Sequence, residues 1–384
     1  MTTKTAQDAI PLPGEAKKKR EVSQDYWSLV WWRFKKNKMA IVGGVMVILF
    51  YFVCGLLPEF FAPYTLHYQS NYLEARPQPI VFKNQQGQFS LRPAVYGLNQ
   101  ELDMVLRKRT YVVDESRIYP LSLFVRGQSY KLLGLIPMDI HLFGVSADAG
   151  EDATAFILGT DRLGRDVLSR IIYGGRLSLL LGLLGQILTF LLGTTLGVIS
   201  GYYGGAVDIV IQRLTEFVGA FPDIPIFMAL AAAIPVTWDP MWVYFMLTLI
   251  LVFIRWGGLA RQVRGLILSL REREYVLAAR SAGASDIRLM FRHLLPGTMS
   301  HVIVIVTLMI PGMILSETAL SWLGLGLRPP LTSWGVLLQE VSSVRAIRFA
   351  PWLLYPVPAV ILAVLSFNML GDGLRDALDP YSRR

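Results

Sequence analysis

The chain has 384 residues, 53% of them hydrophobic and only 17% charged, and the apolar residues are clustered in long runs, which excludes an ordinary water-soluble domain. The net charge of +9 comes from Lys and Arg in short runs beside those apolar stretches, the distribution of a positive-inside membrane protein and not of a nucleic-acid binder. A single cysteine, Cys54, excludes a disulfide framework and a Cys-based metal site.

Residues 1–24 are polar, contain Pro11, Pro13 and Gly14 and end in Lys17, Lys18, Lys19 and Arg20, a composition that cannot bury a core and predicts a disordered tail. Residues 26–38 interleave aromatics with cations, which predicts a helix lying at the lipid headgroups, so that 1–38 form a cytoplasmic tail and interfacial helix. Residues 39–57 are an uninterrupted apolar run long enough to cross a bilayer. No A-x-A cleavage site follows it, so it reads as a first spanning helix and not as a signal peptide.

Over 58–156 the character changes. Stretches such as 111–113, 121–125 and 130–133 alternate between turn residues and read as short strands of a small β-rich or α+β insert, outside the cytoplasm, with apolar content enough to fold by itself. Residues 159–176 carry Arg162, Arg165, Arg170 and Arg176 where the topology puts them outside. Asp161 and Asp166 can pair with them locally, and the segment is expected along the outer surface, as a solvated charged face or a face toward a partner.

The remaining spans of the 157–384 core are expected at 177–199, 217–234, 242–254, 302–320 and 353–370, six in all, an all-α polytopic architecture with both termini inside. Gly182, Gly185, Gly193 and Gly197 predict close helix approach in the second span. Pro222 and Pro225 break the third, where a broken helix must line something polar or be packed by neighbours, making them candidates for lining a path. Glu216 and Asp223 are assigned to the inner interface. Pro311 lies inside the fifth span, and 329–351, with Trp334 and Trp352 near its ends, reads as an interfacial re-entry. Glu317 is the main intramembrane carboxylate, a candidate for structural pairing or for lining a path. Few other ionisable groups enter the spans, which argues against an ion-coupled carrier. His141, His293 and His301 are scattered without ligand-like pairing, so no metal site is expected. No Gly-rich loop ending in Lys-Ser or Lys-Thr is present, so ATP binding by a P-loop is excluded.

Residues 271–296 are polar, basic and trapped between apolar runs, so they belong at a membrane face. A helix is predicted over 274–281, ended by a left-handed Gly283; Ser285 or Asp286 caps a second helix running to Leu295 and closed by Pro296. Ala278 and Ala279 leave a shallow surface for close approach by another protein. The spacing of Leu277, Ala278, Ala279, Gly283, His293, Leu295 and Pro296 resembles the loop motif of ABC-importer membrane subunits, with Leu277 standing for the family's Glu and His293 for its Ile. LGTDRLGRDVLSRIIYGGRLSL (158–179), SWLGLGLRPPLTSWG (321–335) and FNMLGDGLRDALDP (367–380) resemble the signatures of the permeases that import dipeptides, oligopeptides or nickel, in their second-permease (C-type) form.

That resemblance implies a non-enzymatic permease subunit in a bacterial or archaeal cytoplasmic membrane. Its implied partners are a homologous second permease, two cytoplasmic ATPases that hold the ATP and Mg, and an external solute-binding protein. No cofactor is implied on this chain. Peptides are the first expectation for substrate and nickel the second, with an ATP-independent channel or carrier as the other class. Leu277, Ala278, Ala279, Gly283, Ser285, His293, Leu295 and Pro296 are the implied ATPase-docking residues.

Overall fold

In the computed structural model, residues 26–83, 88–103, 108–146, 149–150, 153–235 and 237–379 are described. The expected tail over 1–24, with its basic run, and the end of the charged C-terminal stretch lie outside them.

Helix α1 (Tyr26–Lys36) carries Trp27, Trp31 and Trp32 on its exposed side, with the Lys35 and Lys36 ammoniums 5.1 and 3.5 Å from the Trp31 and Trp32 ring centres. That face suits the headgroup layer, where amphipathic rings and cations are both solvated. Asn37 breaks the helix and caps the next, its side chain accepting from the Ala40 amide at 3.2 Å. Helix α2 (Lys38–Phe50) runs on as a π-helical segment, Tyr51–Leu56, until Pro58 opens the short α3 (Pro58–Phe61).

The insert is a four-stranded antiparallel sheet in the order β1-β2-β3-β4: Ile80–Lys83, Phe89–Asp103, Lys108–Leu132 and Ile136–Val145. The three stretches expected as separate strands are parts of one 25-residue strand, β3, which pairs with β2 over its first half and with β4 from Leu121 onward. The turn residues that suggested breaks sit instead at register shifts between Tyr96 and Gly97 and between Arg126 and Tyr130. Buried His141 is a structural residue, with Nδ1 2.7 Å from the Ala62 carbonyl and Nε2 3.0 Å from that of Gln128.

The segment before the next helix packs back on the base of the insert: the Ser70, Glu74 and Gln78 amides donate to the carbonyls of Gly164, Asp161 and Phe156. Asp166 then caps α4 (Val167–Tyr203), its Oδ2 accepting from the Ser169 amide and hydroxyl at 2.7 Å each. Burial pushes its carboxyl up to about 7, against those two hydrogen bonds.

The expectation of a solvated charged face here is corrected. Arg170 is 2% exposed and lies inside α4, bonded to Asp161 at 2.6 Å and to both Glu340 oxygens at 2.8 and 2.9 Å. Arg165 reaches the same two carboxylates at 2.7 and 3.2 Å. Arg176 is also helical and grips Glu59 at 2.6 and 2.8 Å, whereas Arg162 is exposed. The arginines that break the positive-inside pattern are therefore mostly used within the chain. A buried cation demands a partner, and Glu340, 170 residues away in sequence, cannot be foreseen as one.

After α4 come α5 (Gly205–Gly219), α6 (Asp223–Ala232) and α7 (Pro240–Leu270). Then come α8 (Glu274–Ser281), the single turn α9 (Asp286–Arg288), a π-helical turn Leu289–Leu294, and α10 (Leu295–Trp322). Short helices α11 (Trp334–Gln339) and α12 (Val344–Phe349) precede a 3-10 turn, Pro351–Leu354, and α13 (Pro356–Leu378). Among the described residues five helical stretches are long and apolar enough to cross a bilayer: Lys38–Leu56, Val167–Tyr203, Pro240–Leu270, Asp286–Trp322 and Pro351–Leu378. The α5–α6 pair, bent by 86° at its break, is the sixth candidate.

The helices that hold the second and fourth expected spans, 177–199 and 242–254, are longer than those stretches, and the arginines at 170, 176, 255, 261 and 264 lie inside them. Trp334 and Trp352, expected at an interface, are buried, and their indole N–H groups donate to the Ile171 and Thr160 carbonyls at 3.0 and 2.9 Å. A buried indole needs such an acceptor. These bonds pin the 329–351 segment onto the start of α4 and the residues just before it.

Candidate functional site

Residues 271–296 have an inner and an outer side. On the inner side Val276, Leu289, Met290 and Leu294 are buried and form one cluster with Val198, Tyr202, Val263 and Ile267 of the spans. On the outer side Leu277 is 47% exposed and Ile287 69%, and Ala278, Ser281, Ala282, Gly283 and Ser285 are also open. Gly283 has φ +81, the left-handed conformation that ends α8, and a side chain there would meet nothing of this chain within 4 Å. Ser285 caps the next turn, its hydroxyl accepting from the Arg288 amide at 3.4 Å. His293 and Leu295 are half-buried, the former with Nε2 turned inward and unpaired.

Pro296 does not close this second helix. It stands in the first turn of α10, and helix continues from Asp286 to Trp322. A proline lacks the N–H of the usual ladder and crowds the carbonyl four residues back; the π-helical turn at Leu289–Leu294 loosens the backbone just before it. The segment is thereby rigidly continuous with a span. A second tie runs to α4, where the Tyr202 hydroxyl donates to Asp286 at 2.6 Å and accepts from Arg280 at 3.2 Å.

The second site lies beside the break between α5 and α6. Pro222 is the N-cap of α6 and Pro225 falls in its first turn, both exposed. The third helical stretch begins at Gly205, not 217, so Asp223 stands at the bend in mid-course and not near an end as expected. A cavity of about 450 Å³ opens there, lined by Asp223, Phe227, Leu251, Arg255, Leu315 and Ser316 among others. Glu317, next in sequence to Ser316, points the other way. It is 3% exposed and accepts from Ser178 at 3.0 Å, Ser321 at 2.8 Å and Ser333 at 2.7 Å, tying α4, α10 and the start of α11 together.

Sequence reasoning missed Arg255 and Ser316. The expected span 242–254 stops one residue short of Arg255, whereas α7 runs on to Leu270. The residue-by-residue signal was there: a cation with helical apolar residues on both sides.

The chain matches the model of binding-protein-dependent transport system inner membrane components over residues 193–384, and that of the N-terminal membrane domain of oligopeptide transport permease C over 25–79. A dipeptide transport system permease protein from Lactococcus lactis subsp. cremoris is 32% identical over 352 residues, covering 91% of this chain and 89% of the relative. A glutathione transport system permease protein from Pectobacterium atrosepticum is 42% identical over 229 residues, 59% of this chain and 73% of the relative. An oligopeptide transport system permease protein from Bacillus subtilis is 37% identical over 227 residues, 59% and 72%. These matches and the long apolar helices agree: the chain belongs to the family of binding-protein-dependent transport system inner membrane components, as a multi-pass permease subunit and not an ATPase.

Proposed function

We propose that this chain forms half of the translocation path of an ATP-driven peptide importer and that residues 271–296 dock into a groove of a cytoplasmic ATPase. The observation that carries this is the two-sidedness of the segment: an inner face bolted to α4, α7 and α10, and an outer face of Leu277, Ala278, Ser281 and Ile287 that this chain leaves uncovered. The complex comprises a homologous second permease, two ATPases holding ATP and Mg, and an external solute-binding protein; this chain binds no cofactor itself. The relatives named for dipeptides, oligopeptides and glutathione support peptides as the substrate class.

Parity supports six crossings. Helix α4 leaves the insert and ends at the docking segment through Tyr202, and α7 ends there too at Arg271. The α5–α6 pair must then traverse the layer in the opposite sense, and its contacts run antiparallel along α7, Asp208 to Arg264, Thr215 beside Gly257, Asp223 to Arg255. Tyr26 meets Ser300 and Arg33 meets the Asp379 carbonyl, so both ends of the described chain lie on the docking side, the cytoplasm in this reading, with the 58–156 insert outside. Closure of the ATPases on ATP moves the segment, and its continuity with α10 and its tie to Tyr202 rock the spans between two arrangements.

Gly283→Asp tests the docking. The substitution strains a left-handed turn by about 1 kcal/mol, too little to unfold the chain, and its side chain projects only toward the partner. Uptake and the binding-protein-stimulated ATP hydrolysis are expected to fall by about tenfold or more, as at a disrupted interface centre, while membrane insertion persists. Near-normal uptake by a well-expressed variant would sink the docking assignment.

A further inference from the structure

Arg264, Arg170 and Arg255 all meet carboxylates from positions inside the long helices. Arg264 holds both oxygens of Asp208 at 2.5 Å, and Arg170 is enclosed by Asp161 and Glu340. Arg255 is different. It stands midway along the 31-residue α7, where a charge is costly. Its Nη2 donates to the Ser316 hydroxyl at 2.9 Å and lies 3.5 Å from Asp223 Oδ2, beyond a good charge-assisted hydrogen bond. Among the described residues Nε and Nη1 make no hydrogen bond. Its side chain is 38% exposed and that of Asp223 60%, both into the 450 Å³ cavity beside the break. Asp223 also starts α6, so the positive end of that helix points at the same space. The other walls are apolar: Ile224, Phe227, Leu251, Ile254, Leu315 and Leu320.

We propose that Arg255 is the carboxylate-binding residue of the path, receiving a carboxylate of the passing peptide in exchange for its loose contact with Asp223, which then faces the peptide's ammonium. This rests on the peptide reading above and adds the element that reads the substrate. An apolar, roomy wall accepts many side chains, while one guanidinium recognises a group that unmodified peptides share, and its fork suits a carboxylate bidentately. Ser316 orients it, because the serine hydroxyl already donates to the Gly312 carbonyl at 2.7 Å and offers Arg255 only an acceptor.

The test uses the whole complex in proteoliposomes with its binding protein saturated by trialanine, trialanine amide or Ala-Glu-Ala amide. In Arg255→Gln, uptake of trialanine is expected to fall about tenfold, the value of one charged hydrogen bond, and that of trialanine amide less than about twofold, with Arg255→Lys restoring part of the loss. Loss on Ala-Glu-Ala amide equal to that on trialanine means that a side-chain carboxylate serves as well; loss confined to trialanine means that the terminus alone is read. Equal loss on all three peptides, or on none, overturns the assignment, the former marking a structural latch. Failure of the unaltered complex to import any of the three overturns the peptide reading itself.

Discussion

Glu317 and Arg255 show opposite uses of charge at neighbouring depths. Three serine hydroxyls from three parts of the chain donate to Glu317, which thereby links α4, α10 and the segment before α11. Arg255 keeps donors unengaged toward a cavity. If the carboxylate is structural, Glu317→Leu strands three buried hydroxyls and removes about 1–3 kcal/mol, whereas Glu317→Gln keeps one acceptor oxygen and loses less. The expected result is a lower Tm of the purified complex in the order Leu below Gln below Glu. A Glu317→Leu complex with unchanged Tm and abolished uptake would assign Glu317 to the path instead.

Helices here are set by how closely backbones approach. Along α4, the position of Gly197 lies against α7 so tightly that a Cβ would stand 2.7 Å from the Ala260 carbonyl oxygen and 2.8 Å from Val263 Cβ, whereas at Gly265 on α7 it would meet nothing within 4 Å. In the absence of a hydrophobic driving force between helices in lipid, such approach supplies the packing that holds them. Gly197→Ala is therefore expected to cost about 1–3 kcal/mol by overpacking and to lower Tm by several degrees; Gly265→Ala should leave it unchanged or slightly higher. Equal Tm values for the two variants would refute tight α4–α7 packing. The small-residue spacing of α4 and the Gly283 turn were legible because each depends on residues close in sequence. The ends of α4 and α7 were not, since a cation is read as a boundary until its distant partner, Glu340 or Asp208, is known. The single long β3 was hidden for a related reason: turn-forming residues mark a bulge as readily as a break, and only the pairing of β2 and β4 with different halves of one strand decides between them.

At the scale of the molecule, two surfaces lie at opposite ends of α4: the insert is bonded to its start through Asp161, Gly164 and Ser169, and the 271–296 segment to its end through Tyr202. Cysteines at Asn99 and Ser281, both exposed, report on the two ends in a Cys54→Ala background, and native Cys54 is buried against Gly175. With six crossings, Asn99→Cys reacts with an impermeant thiol reagent in intact cells and Ser281→Cys only after permeabilisation. The docking proposal adds a further condition: if an ATPase covers the face that carries Ser281, labelling in permeabilised membranes should be slower when the ATPases are present than after they are stripped. The ratio separates topology from docking. Ser281→Cys that labels in intact cells contradicts the number of crossings, since one span more or fewer moves 271–296 to the other side. Ser281→Cys that labels only after permeabilisation, yet equally fast with and without the ATPases, leaves the crossings in place and removes the docking face.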